Sequence, residues 1–185
     1  MIVAGLDPSL SNLGMVKGHF DGVAFDPHEL KLVQTSADKS AKKQVRKNSQ
    51  DLQRCRELHD GLHKFIEGVD LIFVEVPVGS QSARAMMSYG ACVQLLAGIK
   101  IPLIEVTPNE VKLAATGDKN ATKQDMITWA VNKYPNVKWL TQKRNGHQVI
   151  TAKNEHLADA VAAVEAGMQT DTFKQLLSFH RKIRA

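Results

Sequence analysis

Short apolar runs that end in an acid and a proline punctuate this chain. Ile2-Val3-Ala4-Gly5-Leu6 has no helical period and reads as a strand buried on both faces. It stops at Asp7, and Pro8 biases that residue away from the helical region, so Asp7 stays extended at the strand's end. After Ser9, Ser11 and Asn12, residues 13–20 read as an antiparallel return strand, with Lys17 and His19 alternating outward. Asp21-Gly22 is a turn signal, and a third strand is expected over 29–35, on Leu30, Leu32 and Val33. Three sequential strands with short turns predict an antiparallel meander. Residues 51–67 predict an amphipathic helix, with Leu52, Cys55, Leu58, Leu62, Phe65 and Ile66 at steps of three and four, ended by Gly68. Leu71-Ile72-Phe73-Val74 then repeats the opening pattern and ends in Glu75, with Pro77 two residues on. A strand joined to the earlier sheet through one helix is the arrangement of parallel neighbours. If it lies beside the first strand, Asp7 and Glu75 share one sheet edge.

The second half alternates in the same way. Residues 79–98 predict a helix capped by Ser80 or Ser82, with Ala83, Met86, Met87, Ala91, Val93, Leu95 and Leu96 as its apolar positions and the Met pair in the core. Ser80, Gln81 and Arg84 follow Glu75 closely and are either substrate contacts or cap and surface residues. Residues 102–106 read as a strand. Thr107 caps a short helix with Pro108 at its first position, and Thr122 caps another over 123–133 whose buried face is Ile127, Ala130 and Val131. Lys112 and Lys123 flank the intervening turn. Residues 134–151 read as irregular and basic, with Lys138, Lys143, Arg144 and His147 and no acid; Trp139 among them either stacks a base or, the favoured reading, anchors the segment to the core. Residues 154–167 predict a helix capped by Asn154, with Leu157, Val161 and Val164 as its stripe. Residues 171–185 predict a last helix carrying Phe173, Leu176, Leu177 and Phe179 and ending in a basic run.

Composition narrows the function classes. With 185 residues the chain has room for one domain with a real core. No apolar run is long enough for a bilayer and the first residues lack a signal pattern, so a soluble, cytoplasmic protein is expected, with no membrane partner. Cys55 and Cys92 read as buried thiols of a reducing compartment. The net charge of +5 is unevenly spread. Residues 36–50 hold Lys39, Lys42, Lys43, Arg46 and Lys47 against one acid, Asp38. This segment is either a solvated basic linker or a phosphate-contacting arm.

The acids carry the sharper signal. Glu155, His156 and Asp159 project from one side of the last core helix, with Glu155 about 40° and His156 about 60° from Asp159 at ~100° per residue. Asp159 lies a full turn in, among alanines and valines, where a carboxylate needs a cation or a partner. Glu155 is either a fourth acid of the site or a surface residue favoured by the helix dipole. If the strands pair as expected, Asp7, Glu75 and Asp159 converge with His156 alongside. Carboxylate oxygens suit Mg²⁺ or Mn²⁺, and two such ions can activate a water and stabilise the leaving oxygen at a phosphodiester. Basic segments around an acidic centre fit a nucleic-acid substrate.

GLDPSLSNLG, FVEVP, VTPNEVKLAATGDKNATKQDM and NEHLADAVAAVEAG, in this order, resemble the RuvC-type Holliday junction resolvases over residues 1–167, with 168–185 left as a basic helical tail. The resemblance implies an α/β, RNase H-like fold: a five-stranded mixed sheet with helices on both faces. It also implies a homodimer that cuts opposed strands of a four-way DNA junction, or of other branched DNA such as flaps, with two Mg²⁺ or Mn²⁺ ions per site. Asp7, Glu75 and Asp159 match the family's carboxylates, and His156 falls where many members have an aspartate and some a histidine. Lys112 and Lys123 match lysines used on junction phosphates and near the scissile site. Pro77 and Val78 stand where many members carry a junction-probing aromatic, and the compact basic form resembles phage or viral versions, which would work in the host cytoplasm. Two other classes compete. G-L-D-x-S also resembles the first phosphate loop of the actin and sugar-kinase ATPases, although FVEVP lacks their D-x-G. A non-catalytic DNA-binding module is the third reading.

Overall fold

The computed structural model describes residues 1–37, 44–79 and 81–184. Among them, strands β1 (Ile2–Pro8), β2 (Asn12–Phe20), β3 (Phe25–Gln34), β4 (Leu71–Glu75) and β5 (Leu103–Val106) form one sheet in the order β3-β2-β1-β4-β5. β1 pairs antiparallel with β2 and parallel with β4, which pairs parallel with β5. The mixed five-stranded sheet therefore stands as expected, with β1 at its centre. β3 starts at Phe25, earlier than its apolar pattern suggested, because its first residues pair with Gly18 to Phe20 across a bulge at Lys17/Gly18.

Helices cover both faces. α1 (Gln44–Phe65) and α2 (Ala83–Ala97) lie on one side, where Leu58, Leu62 and Phe65 meet Ala4, Leu6, Met15, Ile72 and Val74. α3 (Pro108–Thr116), α4 (Lys123–Lys133), α5 (Glu155–Gln169) and α6 (Asp171–Arg184) cover the other, over Val3, Val16, Phe73 and Val106. The alternation along β1 and β4 assigns the faces: residues 4, 6, 72 and 74 go to the α1 side, and 3, 71 and 73 to the α5 side. Among the described residues no helix is long and apolar enough to cross a membrane.

α5 is the central helix of its face, and it lies unusually close to the sheet. A Cβ on Gly5 would come within 2.1 Å of the Ala160 carbonyl oxygen, and one on Gly14 within 2.0 Å of the His156 carbonyl oxygen. Ala158, Ala160, Ala162 and Ala163 are fully buried along the same helix. Small residues on both partners thus bring the α5 backbone down onto β1 and β2. α6 docks through Phe173, whose ring meets the edges of Phe20 and Phe73 at 5.3 and 5.2 Å.

Several local expectations need correcting. α1 begins at Gln44, well ahead of residue 51. Its buried face runs Asp51, Arg54, Leu58, Leu62, Phe65, while Leu52 is 54% exposed. Only half of the Met pair is core: Met87 is half-buried and packs against the core, while Met86 is exposed, since only one side of α2 reaches the sheet. Asn154 does not cap α5; its backbone is helical and its side chain points elsewhere. Residues 134–151 are not irregular throughout, for β6 (Thr141–Arg144) and β7 (His147–Ile150) form a separate two-stranded ribbon. The capping boxes at Thr107/Glu110 and Thr122/Asp125 are present, with Pro108 at the start of α3. Trp139 is the anchor expected of it, buried and donating from Nε1 to the Tyr134 carbonyl at 2.9 Å.

Candidate active site

The register decides which way the two strand-end acids point. Val3 lies opposite Leu71 and Leu6 opposite Val74, so Asp7 comes level with Glu75 one residue on. Both follow the phase of Val3 and Phe73 and face α5. α5 answers with His156 and Asp159 from its first turns. The close approach at Gly5 and Gly14 is what brings these side chains over the end of β1.

The electrostatics are those of crowded like charges. Burial, and then the Asp7 charge, push the Glu75 carboxyl up to about 8, with Lys112 opposing. Burial, then Asp7, Glu75 and Glu155, push Asp159 up to about 8 as well. His156 Nδ1 lies 2.5 Å from Asp7 Oδ2. Burial opposes charge on the imidazole, but the hydrogen bond to Asp7 prevails and its pKa is raised. Lys123, the first residue of α4, sets its Nζ 2.6 Å from Glu155 Oε1. That hydrogen bond, then the wider charge of Glu155, raise the Lys123 pKa, with Asp159 and Asp7 contributing. Lys112 from α3 and Lys123 from α4 thus border the acids.

A divalent cation suits this donor set in kind: carboxylate oxygens, one imidazole, and two carboxyls that burial and the neighbouring Asp7 charge push up to about 8. Among the described residues no group of three His, Cys, Asp or Glu side chains stands ready-made around one point. The Asp7 carboxylate is turned toward His156 instead.

Sequence reasoning therefore brought Asp7, Glu75, His156, Asp159, Glu155, Lys112 and Lys123 to one place. Other candidates lie apart. Arg84 is held by Asp51 in a two-pronged ion pair, Nη1 to Oδ2 at 2.5 Å and Nη2 to Oδ1 at 2.7 Å, which commits its guanidinium to α1. Gln81 is exposed just ahead of α2, whose cap is Ser82. Lys143 and Arg144 are exposed on β6. Lys42, Lys43 and Ser80 lie outside the described residues, as do the side chains of Arg46 and Lys47.

Two features escaped the sequence. Arg54 is buried against the loop that follows Asp7: Nε donates to the Thr35 hydroxyl, and Nη2 to the Leu10 carbonyl and the Ser11 hydroxyl, at 2.8–3.2 Å. Asp51 accepts from Arg54 and Arg84 together. The signal was present, since residues 51 and 54 fall in phase with Leu58, Leu62 and Phe65. A cleft of about 420 Å³ opens beside this cluster, lined by Pro8, Ser9, Ser11, Pro77, Arg84 and Tyr89. The second feature is the β6–β7 ribbon, whose signal was the Asn145-Gly146 pair.

No protein-family profile matches the chain. A curated relative, the crossover junction endodeoxyribonuclease RuvC of Salinibacter ruber (strain DSM 13855 / M31), is 32% identical over 79 residues, 40% of this chain and 44% of the relative. The match thus spans under half the relative's length. The structure of T. thermophilus RuvC in complex with a Holliday junction substrate superposes with a TM-score of 0.64 at 18% identity, over 95% of this chain and 96% of that one. Another Thermus thermophilus RuvC structure gives 0.58 at 20% identity, over 96% and 97%. The fold is accordingly the RNase H-like fold of these proteins.

Proposed function

We propose that this chain is a metal-dependent, structure-selective endonuclease of the RuvC type that hydrolyses phosphodiester bonds in four-way and other branched DNA. The observation that carries the reading is the acid pocket itself. Carboxylates from β1, β4 and α5 meet at one sheet edge, where burial and the Asp7 charge push Glu75 and Asp159 up to about 8, and lysines from α3 and α4 border them. The RuvC fold and the local identity to a junction endonuclease support it.

In this reading Asp7, Glu75 and Asp159 hold two Mg²⁺ or Mn²⁺ ions, with His156 as a further ligand or as the group that orients Asp7. Bound there, the ions supply positive charge at the phosphodiester and lower the pKa of the attacking water. The chain's own groups do the rest. Asp7 acts on both Glu75 of β4 and Asp159 of α5. Lys112 and Lys123 neutralise the phosphates beside the scissile one. Glu155 spends its carboxylate on Lys123 and so serves to aim that amine, outside the ligand set. Arg54 stiffens the turn after Asp7, keeping Ser9 and Ser11 as a fixed wall.

A homodimer follows from the same reading, since a two-fold substrate suits a two-fold enzyme. The α1–α2 face supports it: Leu52, Met86 and Val93 are exposed there, beside an apolar groove of about 370 Å³ lined by Cys55, Leu58, Ala91 and Leu95. Such an enzyme would act in the cytoplasm, on recombining or replicating DNA.

The test is cleavage of end-labelled synthetic DNA in Mg²⁺ or Mn²⁺, with four-way junction, flap and linear duplex side by side. Paired symmetric nicks in the junction, absent with Asp7→Asn, are expected. Preferred cutting of flaps would keep the nuclease and move its substrate. Binding without scission by either metal would overturn the catalytic reading.

A further inference from the structure

The β6–β7 ribbon has almost no core of its own. Every residue over 141–149 is exposed, and only Ile150 is half-buried. A lone two-stranded hairpin of this length is marginal in water. It is nevertheless tightly defined at both ends. At the tip Asn145 and Gly146 have φ of 49° and 84°, the paired positive values of a two-residue hairpin turn. At the base a fully buried side chain clamps the two strands together. The Asn154 amide oxygen accepts from Leu140 N at 2.9 Å, and its nitrogen donates to the Leu140 and Thr151 carbonyls at 2.8 and 2.9 Å. Trp139, one residue before Leu140, is packed into the core.

The charge on this ribbon is unbalanced. No acid occurs between Asp125 and Glu155. Among the described residues no acid pairs with Lys138, Lys143, Arg144 or His147, whereas Lys133 is taken by Glu165 and Lys123 by Glu155. Register sets Arg144 opposite His147 and Lys143 opposite Gln148, so that successive pairs present basic groups to both faces. After β7 the chain needs only residues 151–154 to reach Glu155 and His156.

We propose that the β6–β7 ribbon is a DNA-gripping wing that enters a groove of the duplex arm next to the scissile strand; this rests on the endonuclease reading above. The dimensions suit it. Two strands about 4.8 Å apart, reaching out about 13 Å, fit a major groove about 12 Å wide. Basic groups on both faces meet phosphate on either side of such a slot. The Asn154 clamp explains how a strip without a core is held at a fixed angle to the acid pocket.

The experiment compares DNA affinity, without divalent metal so that nothing is cut, of the full chain, of Lys143→Ala/Arg144→Ala, and of Lys64→Ala/Lys100→Ala. The last removes equal charge from the opposite end of the sheet. Four-way junction and linear duplex are titrated at several salt concentrations by fluorescence anisotropy, with circular dichroism to verify folding. The ribbon variant is expected to bind about tenfold more weakly and to lose about 1.8 from the slope of log affinity against log salt, two phosphate contacts' worth. The distant control should do neither. An equal fall in both variants would reduce the effect to net charge and overturn the wing. So would a ribbon variant that binds like the unaltered chain. If the unaltered chain binds no DNA at all, the endonuclease reading falls and takes the wing with it, an outcome distinct from DNA binding that ignores the ribbon.

Discussion

Two carboxylate clusters, one buried and one half-buried, sit on opposite faces of one sheet and follow opposite rules. On the α1 face, Asp51 lies between Arg54 and Arg84. The Arg84 hydrogen bond, with the charges of both guanidiniums, holds its carboxyl below the usual range. On the α5 face, Glu75 and Asp159 share a pocket with Asp7 and are pushed up to about 8. The first cluster is complete: each acceptor faces a cation, and its effect is to lock α1 and α2 to the turn after Asp7. In the second, Lys112 and His156 only partly offset the burial and crowding of the acids. Burial alone does not separate the two clusters; how far the chain itself supplies the counter-charge does.

The largest effect that sharpens this contrast should come from the incomplete cluster. Asp7→Asn should lower metal-dependent scission by about 10³-fold or more while leaving the circular dichroism spectrum unchanged. An activity loss under tenfold would remove Asp7 from the chemistry. The complete cluster should respond in stability instead. Asp51→Ala leaves Arg54 buried without its acid and should cost about 3 kcal/mol, lowering the thermal midpoint by roughly 6–12 °C in a domain this size. A cost near zero would mean that Arg54 is satisfied by the Thr35, Leu10 and Ser11 oxygens alone.

The pH dependence of the two clusters should run in opposite senses. Glu75 and Asp159 have folded pKa values raised above their usual 4.5 and 3.8. The folded chain therefore binds more protons than the unfolded one between about pH 4 and 8, and stability falls as pH rises through that window. Asp51, with its folded pKa lowered, contributes stability above its usual 3.8 and loses it only in stronger acid. Thermal melts without divalent metal should thus show a midpoint that drops from pH 5 to pH 8. Glu75→Gln or Asp159→Asn should flatten that drop, and Mg²⁺ or Mn²⁺ should raise the midpoint most at pH 8. A flat profile in the unaltered chain would break the comparison. The smallest effect belongs to Glu155→Gln. Its partner Lys123 is largely exposed, and such pairs contribute under about 1 kcal/mol. Scission should slow by about two- to fivefold with metal affinity unchanged; a large rise in the metal concentration needed would make Glu155 a ligand.

Much of the site was legible because its signals are local. A strand-end acid followed by a proline announces itself twice, and the two runs share one pattern because they occupy neighbouring central positions in one sheet. Thr107-Pro108 and Thr122 start their helices through bonds made within four residues. The charged pair Asp51 and Arg54 was harder to see. It continues an apolar stripe, and its partners are carbonyl and hydroxyl oxygens some 20 to 45 positions distant. The ribbon was missed for another reason: its apolar residues are only the adjacent Val149 and Ile150, so no alternation marks its strands, and Asn145-Gly146 alone announced the turn.

The amino-acid order by itself determined the five strands of the main sheet, the capped starts of α3 and α4 and the identity of the acids, since each depends on neighbours within a turn or a strand. Tertiary structure alone decided that Asp7 and Glu75 face α5, because that depends on a pairing register between distant strands. It also decided that Asn154 clamps a ribbon instead of capping a helix, and that Arg84 pairs with Asp51 of α1. In each case a side chain with several suitable partners took the one that packing had already brought within reach.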